Sequence, residues 1–97
     1  MNPDIMNQLQ QLVLKFFDKE NVKIFIFGSR ANNKESVQSD IDLGIIPRDN
    51  FNYDKLVLFK EALEDINIPY KVDVVDFNNV SNDFKKEAMK DIIVWKN

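Results

Sequence analysis

Cysteine and histidine are both missing from this chain. Without cysteine there is no disulfide, no thiolate nucleophile and no zinc-thiolate site, and without histidine there is no imidazole base or ligand. Any catalysis therefore rests on carboxylates, hydroxyls, lysine, arginine or a metal. Also missing is an apolar run near the ~20 residues that a membrane-spanning helix needs. Met1 to Gln10 lacks the basic and then apolar layout of a signal peptide. The expectation is a cytoplasmic protein with no membrane partner. Basic residues are in the minority, and the net charge of −3 argues against direct nucleic-acid binding, which clustered lysine and arginine normally drive. What is present suits a globular protein: 44% hydrophobic residues, 30% charged residues and eight phenylalanines to fill a core. Residues 1–97 are expected to form one domain. A domain of that size buries only somewhat over ~60% of its unfolded surface, so a partner has room to add stability.

The pattern of elements alternates between helix and strand, which predicts an α/β (α+β) fold. Asn2 and Pro3 suit an N-cap and first helical position, followed by Ile5, Leu9, Leu12, Val13 and Phe16 at helical spacing. Val22 to Phe27 reads as a strand buried on both faces. Ser29 to Gln38 is polar and suits a short helix. Asp40 to Ile46 reads as a second strand stopped by Pro47, and a polar loop follows around Asn50. Leu56, Phe59, Leu63 and Ile66 mark another amphipathic helix, and Tyr70 to Asp76 a third strand after Pro69. Ser81 or Asn82 caps a last helix, with Phe84 and Ala88 inward and Lys85, Lys86 and Lys90 outward. Ile92 to Trp95 either continues that helix or runs extended, and its apolar character suits core closure or a docking surface.

The informative stretch is Gly28-Ser29-Arg30, followed after nine residues by Asp40-Ile41-Asp42. Strand side chains alternate, so Asp40 and Asp42 project together while Ile41 and Leu43 point the other way. Two carboxylates on one face repel unless something positive lies between them, and hard oxygen ligands of this kind suit Mg²⁺ with substrate phosphates. Gly28 after a strand allows close backbone approach to a phosphate, Ser29 adds N–H and hydroxyl donors, and Arg30 adds charge. Taken singly, each element has a plainer reading: Gly-Ser as a turn, Asp-x-Asp as a solvated sheet face, Arg30 as a surface charge. Their order on consecutive strands with a short connection points instead to a nucleoside triphosphate site. Lys85, Lys86 and Lys90 read as a solvated helix face.

Gly28-Ser29, ten intervening residues and Asp40-Ile41-Asp42 resemble the signature of the DNA polymerase β nucleotidyltransferase superfamily. Phe27-Gly28-Ser29-Arg30-Ala31 and Ser39-Asp40-Ile41-Asp42-Leu43 look like its minimal nucleotidyltransferase branch, and the resemblance covers nearly the whole chain. It implies a small mixed β-sheet flanked by helices, with nucleotide binding at Gly28, Ser29 and Arg30. It also implies two Mg²⁺ ions held by Asp40, Asp42 and a third carboxylate on the next strand, where the family pattern places Asp73. Alternation agrees: Val72, Val74 and Asp76 share one face, Lys71, Asp73 and Val75 the other, and Asp76 falls at the strand's end where it suits a turn. One departure is Asn32-Asn33-Lys34, where many relatives carry a basic residue or glycine. Proteins similar to this one are commonly paired with a small helical HEPN-domain protein in a toxin-antitoxin arrangement. The resemblance thus implies a Mg²⁺-dependent enzyme that moves AMP from ATP, or NMP from another NTP, to a hydroxyl of that toxin and acts as its antitoxin. The alternative is a non-catalytic nucleotide-binding or partner-docking subunit. Its mark would be a lost carboxylate, and Asp40, Asp42 and Asp73 are all present. A third reading is an unrelated α/β domain with a chance motif.

Overall fold

The computed structural model describes residues 3–28 and 40–97. Their elements run α1 (Pro3–Phe17), β1 (Val22–Phe27), β2 (Ile41–Pro47), α2 (Tyr53–Asp65), β3 (Val72–Asp76), α3 (Asn82–Ala88) and β4 (Ile93–Lys96). The strands form one mixed sheet in the order β3-β2-β1-β4, with β2 parallel to β3 and β1 antiparallel to both β2 and β4. This is the mixed α+β architecture that the sequence predicts.

Alternation along β1 and β2 divides the apolar residues between the two sheet faces. Val22, Ile24 and Ile26 join Ile41, Leu43 and Ile45 on one face, where α1 supplies Leu9, Val13 and Phe17 and α2 supplies Phe59. Leu9, Val13 and Phe17 recur every fourth residue, so they form one helical stripe, and all are fully buried. The stripe extends one position past Phe16, where the sequence pattern ends it. The expected N-cap Asn2 lies outside the described residues. Phe59 packs edge-on against Phe16 and Phe17, with ring centroids 6.0 and 5.1 Å apart. Its helix starts where the Asn52 side chain accepts from the Asp54 amide at 3.0 Å, an ordinary N-cap.

The opposite face carries a smaller aromatic core of Phe25, Phe27 and Phe77, with Val75, Val80, Ala88, Met89 and Ile92 packed around it. Its existence depends on Gly44. A Cβ there would stand 2.9 Å from the Phe77 ring and nearer still to the Phe25 ring, so only glycine lets both rings lie across β2. Phe77 meets Phe25 and Phe27 edge-on at 4.9 and 5.0 Å.

One boundary differs from expectation, one open alternative is decided, and one side chain lies differently. Pro47 does not stop β2 but is its last residue, opposite Val22. The Arg48 amide donates to Asn21 O at 2.9 Å, so alternation turns the nitrogen of position 47 toward β3. There the ladder has ended with the Phe77 amide on Ile45 O, and no donor is needed. The tail is a strand rather than more helix: Phe25 pairs with Val94 and Ile24 with Lys96, leaving Trp95 as a bulge residue packed on the larger core. The exposed apolar side chains of β4 are Ile93 and Val94, while Trp95 is partly buried. Phe84, expected inward, is 43% exposed, although the α3 cap forms as expected, with Ser81 Oγ accepting from the Phe84 amide at 3.1 Å.

Candidate active site

Register brings the acidic residues together. The Ile41 amide donates to Lys71 O at 2.9 Å, which starts the parallel ladder and sets Asp42 opposite Asp73. On its other side Asp42 is opposite Phe27. Phe27, Asp42 and Asp73 thus stand in a row across three strands, on the face that carries the aromatic core, with strand spacing of roughly 4.8 Å. Asp40 lies one residue before β2, exposed, and adds its charge to the same group. Asp76 belongs elsewhere: it ends β3, its Oδ1 accepts from the Asn78 amide at 2.9 Å and its Oδ2 from Asn79 Nδ2 at 3.1 Å, an Asx turn.

Burial holds the Asp42 carboxyl above its ordinary value, and the nearby charges of Asp73 and Asp40 raise it further. A cation at hand is Lys71, whose Nζ is 3.6 Å from Asp73 Oδ1. Both side chains are open to water, so this pair is weak. Gly28 completes the arrangement. It has φ of +79°, and a Cβ on it would lie 2.5 Å from Asp42 Oδ2. Glycine is needed here both for the backbone conformation and for the space that the carboxylate occupies. Ser29, Arg30 and the short helix expected over Ser29 to Gln38 lie outside the described residues.

Among the described residues no three acidic side chains converge closely enough to enclose a metal ion by themselves. The donor set still fits Mg²⁺, which binds through one or two carboxylates and completes its shell with water and substrate phosphates. Asp42 and Asp73 would hold such an ion, with Asp40 at the rim.

A cleft opens at each end of the row. One, of about 330 Å³, adjoins Gly28 and Phe27 and is walled by Phe84 and Ala88. The other, of about 490 Å³, follows the free edge of β3 past Leu63, Ile66, Tyr70 and Val72 and includes Asp73. Sequence reasoning missed Gly44 and the Phe27–Phe84 wall. A glycine inside a strand is itself a signal of close approach by a neighbour, whereas nothing in the sequence marks Phe84 as half open.

Residues 7–97 match the protein family described as Polymerase beta, Nucleotidyltransferase. A Haemophilus influenzae protein named as probable protein adenylyltransferase MntA is 33% identical over 86 residues, which span 89% of this chain and 70% of that relative. A solved structure described as a minimal nucleotidyltransferase has a TM-score of 0.72 at 20% identity, covering 96% of this chain and 95% of that one. A toxin-antitoxin crystal structure with AMP-PNP has a TM-score of 0.60 at 18% identity, covering 89% of this chain and 71% of that one. At these identities the two structures speak to the fold, which is the same.

Proposed function

The chain belongs to the polymerase beta nucleotidyltransferase family and is a nucleotidyltransferase; from that premise we propose that it transfers AMP from ATP to a hydroxyl of a protein partner. The observation that carries this reading is the row of Asp42 and Asp73 with Gly28 packed against it. It offers carboxylates for a cation and an open backbone approach for phosphates at one place. A bound divalent ion would supply charge neutralisation for the triphosphate and the leaving pyrophosphate. Asp40, Asp42 and Asp73 are its ligands in this reading, and Gly28, Ser29 and Arg30 receive the phosphates. Asp73, at the edge of the sheet, accepts the proton of the acceptor hydroxyl. The acceptor oxygen then forms its bond to the α-phosphorus as the bond to the bridging oxygen of pyrophosphate breaks. The protein contributes position and electrostatics rather than a covalent intermediate.

The acceptor in this proposal is a small helical HEPN-domain toxin, with the chain as its antitoxin in the cytoplasm. The adenylyltransferase name of the Haemophilus influenzae relative and the likeness to a toxin-antitoxin structure support it. So does an apolar stripe on α2, where Tyr53, Val57 and Leu58 are about half exposed. Incubation with α-labelled ATP, Mg²⁺ and the co-purified partner tests it. Label on the partner that disappears with EDTA is the expected result, and label found only on RNA or a small molecule would move the acceptor to another class.

A further inference from the structure

The cleft beside Gly28 shares that residue with the proposed phosphate site and continues from it past Phe27. Phe27 forms its wall and is also the row neighbour of Asp42, so a group in this cleft is one residue's width from the carboxylates. Its volume of about 330 Å³ is at the small end of the range of ligand pockets, ~300–1,000 Å³. Phe84 is the unusual member. Its ring is oriented by Phe27, edge-on at 6.1 Å, and by Phe77 at 5.7 Å, yet it stays 43% exposed. An aromatic ring held by two others and still this exposed can serve as a stacking platform for a planar base. Beside Phe84 and Ala88 the same segment adds Glu87, Lys90 and Asp91 to the lining, with Lys90 Nζ 2.9 Å from Glu87 Oε2. This rim has two carboxylates to accept from an exocyclic amino group and one ammonium to donate to a ring nitrogen.

We propose that the cleft of Phe27, Phe84 and Ala88 holds the base of the nucleotide, an amino-bearing purine stacked on Phe84 and read at its edge by Glu87 and Lys90. The inference rests on the nucleotidyltransferase reading of the site and adds to it where the base lies and which base chemistry fits. The cleft along β3 is left to the acceptor, since it reaches Asp73 and combines aliphatic walls with Lys60, Glu64 and Lys71.

Calorimetry on the intact protein with Mg²⁺ tests this, using ATP, UTP and inorganic tripolyphosphate against the parent, Phe84→Leu and Phe84→Tyr. Phe84→Leu keeps apolar bulk but loses the π-face, so it should bind ATP about tenfold more weakly and tripolyphosphate as the parent does. Phe84→Tyr should retain ATP, and the parent should prefer ATP to UTP. Unchanged ATP affinity in Phe84→Leu, equal loss of ATP and tripolyphosphate, or loss in Phe84→Tyr would overturn the stacking role. Equal affinity of the parent for ATP and UTP would overturn the edge readout. A parent that binds neither ATP nor tripolyphosphate would instead overturn the nucleotidyltransferase reading itself.

Discussion

At Gly28 two constraints coincide, a left-handed backbone and a carboxylate oxygen where a side chain would stand. Gly28→Ala should therefore strain the turn by about 1–2 kcal/mol and push Asp42 out of the row. A displacement of that order costs roughly 10²-fold in transfer, and chemical denaturation beside turnover assays measures both. Asp42 carries the opposite tension, because the charge that the proposed function requires costs stability. Its folded-state carboxyl is held above the ordinary value of 3.8 by burial first and then by Asp73 and Asp40. The folded state then binds more protons than the unfolded one between those two values, so this group's contribution to stability falls as pH rises through that window. Asp42→Asn removes the effect. The variant should melt higher than the parent at pH 7, with the gap closing as pH falls through the raised Asp42 value toward 3.8, and should transfer nothing. Melting curves of both proteins across that range, in EDTA, check the sign.

The two aspartates of β3 stand in different surroundings. Asp73 is inside the ladder opposite Asp42, whereas Asp76 closes the strand with hydrogen bonds to Asn78 and Asn79. Asp73→Asn should abolish transfer while leaving part of the ATP affinity. Asp76→Asn should cost about 1 kcal/mol or less in stability and leave turnover within a few-fold of the parent. Parallel kinetics and denaturation of the two variants decide, and a dead Asp76→Asn beside an active Asp73→Asn would contradict the register. The same alternation sends Val72 and Val74 to the larger core and Val75 to the aromatic one.

Across the whole molecule, two faces of one sheet divide the labour. The α1 and α2 side holds most of the fully buried residues, and the aromatic side supports the acidic row and its neighbouring cleft. No helix among the described residues is long and apolar enough to cross a membrane. A ligand that binds the folded state alone adds RT ln(1 + [L]/Kd), about 2.7 kcal/mol at a hundredfold excess over Kd. On the proposed function Mg²⁺ and ATP together should therefore raise the melting temperature by several degrees, since a bound ion would also relieve the repulsion among Asp40, Asp42 and Asp73. Thermal melts with Mg²⁺–ATP, ATP in EDTA and Mg²⁺ alone test it. An equal rise with ATP in EDTA would remove the metal from the proposal.

The linear sequence determined the elements and the chemistry that depend on near neighbours. Period-two alternation and the Gly28 to Asp42 spacing named the acidic residues and their shared face, and the same parity separated Asp73 from Asp76 before any register was known. Local chemistry also named the Ser81 cap. What only the tertiary structure decided depends on partners far apart in the chain. Pro47 ends a strand without breaking it because β3 has already left its side of the ladder. The tail becomes β4 because β1 offers it an open edge, which no periodicity over four residues can announce. Phe84 stays half exposed because Phe27 and Phe77 already occupy the aromatic core that Gly44 makes room for. Helical spacing marks a residue as apolar-facing, but the space left by other strands decides whether that face is filled.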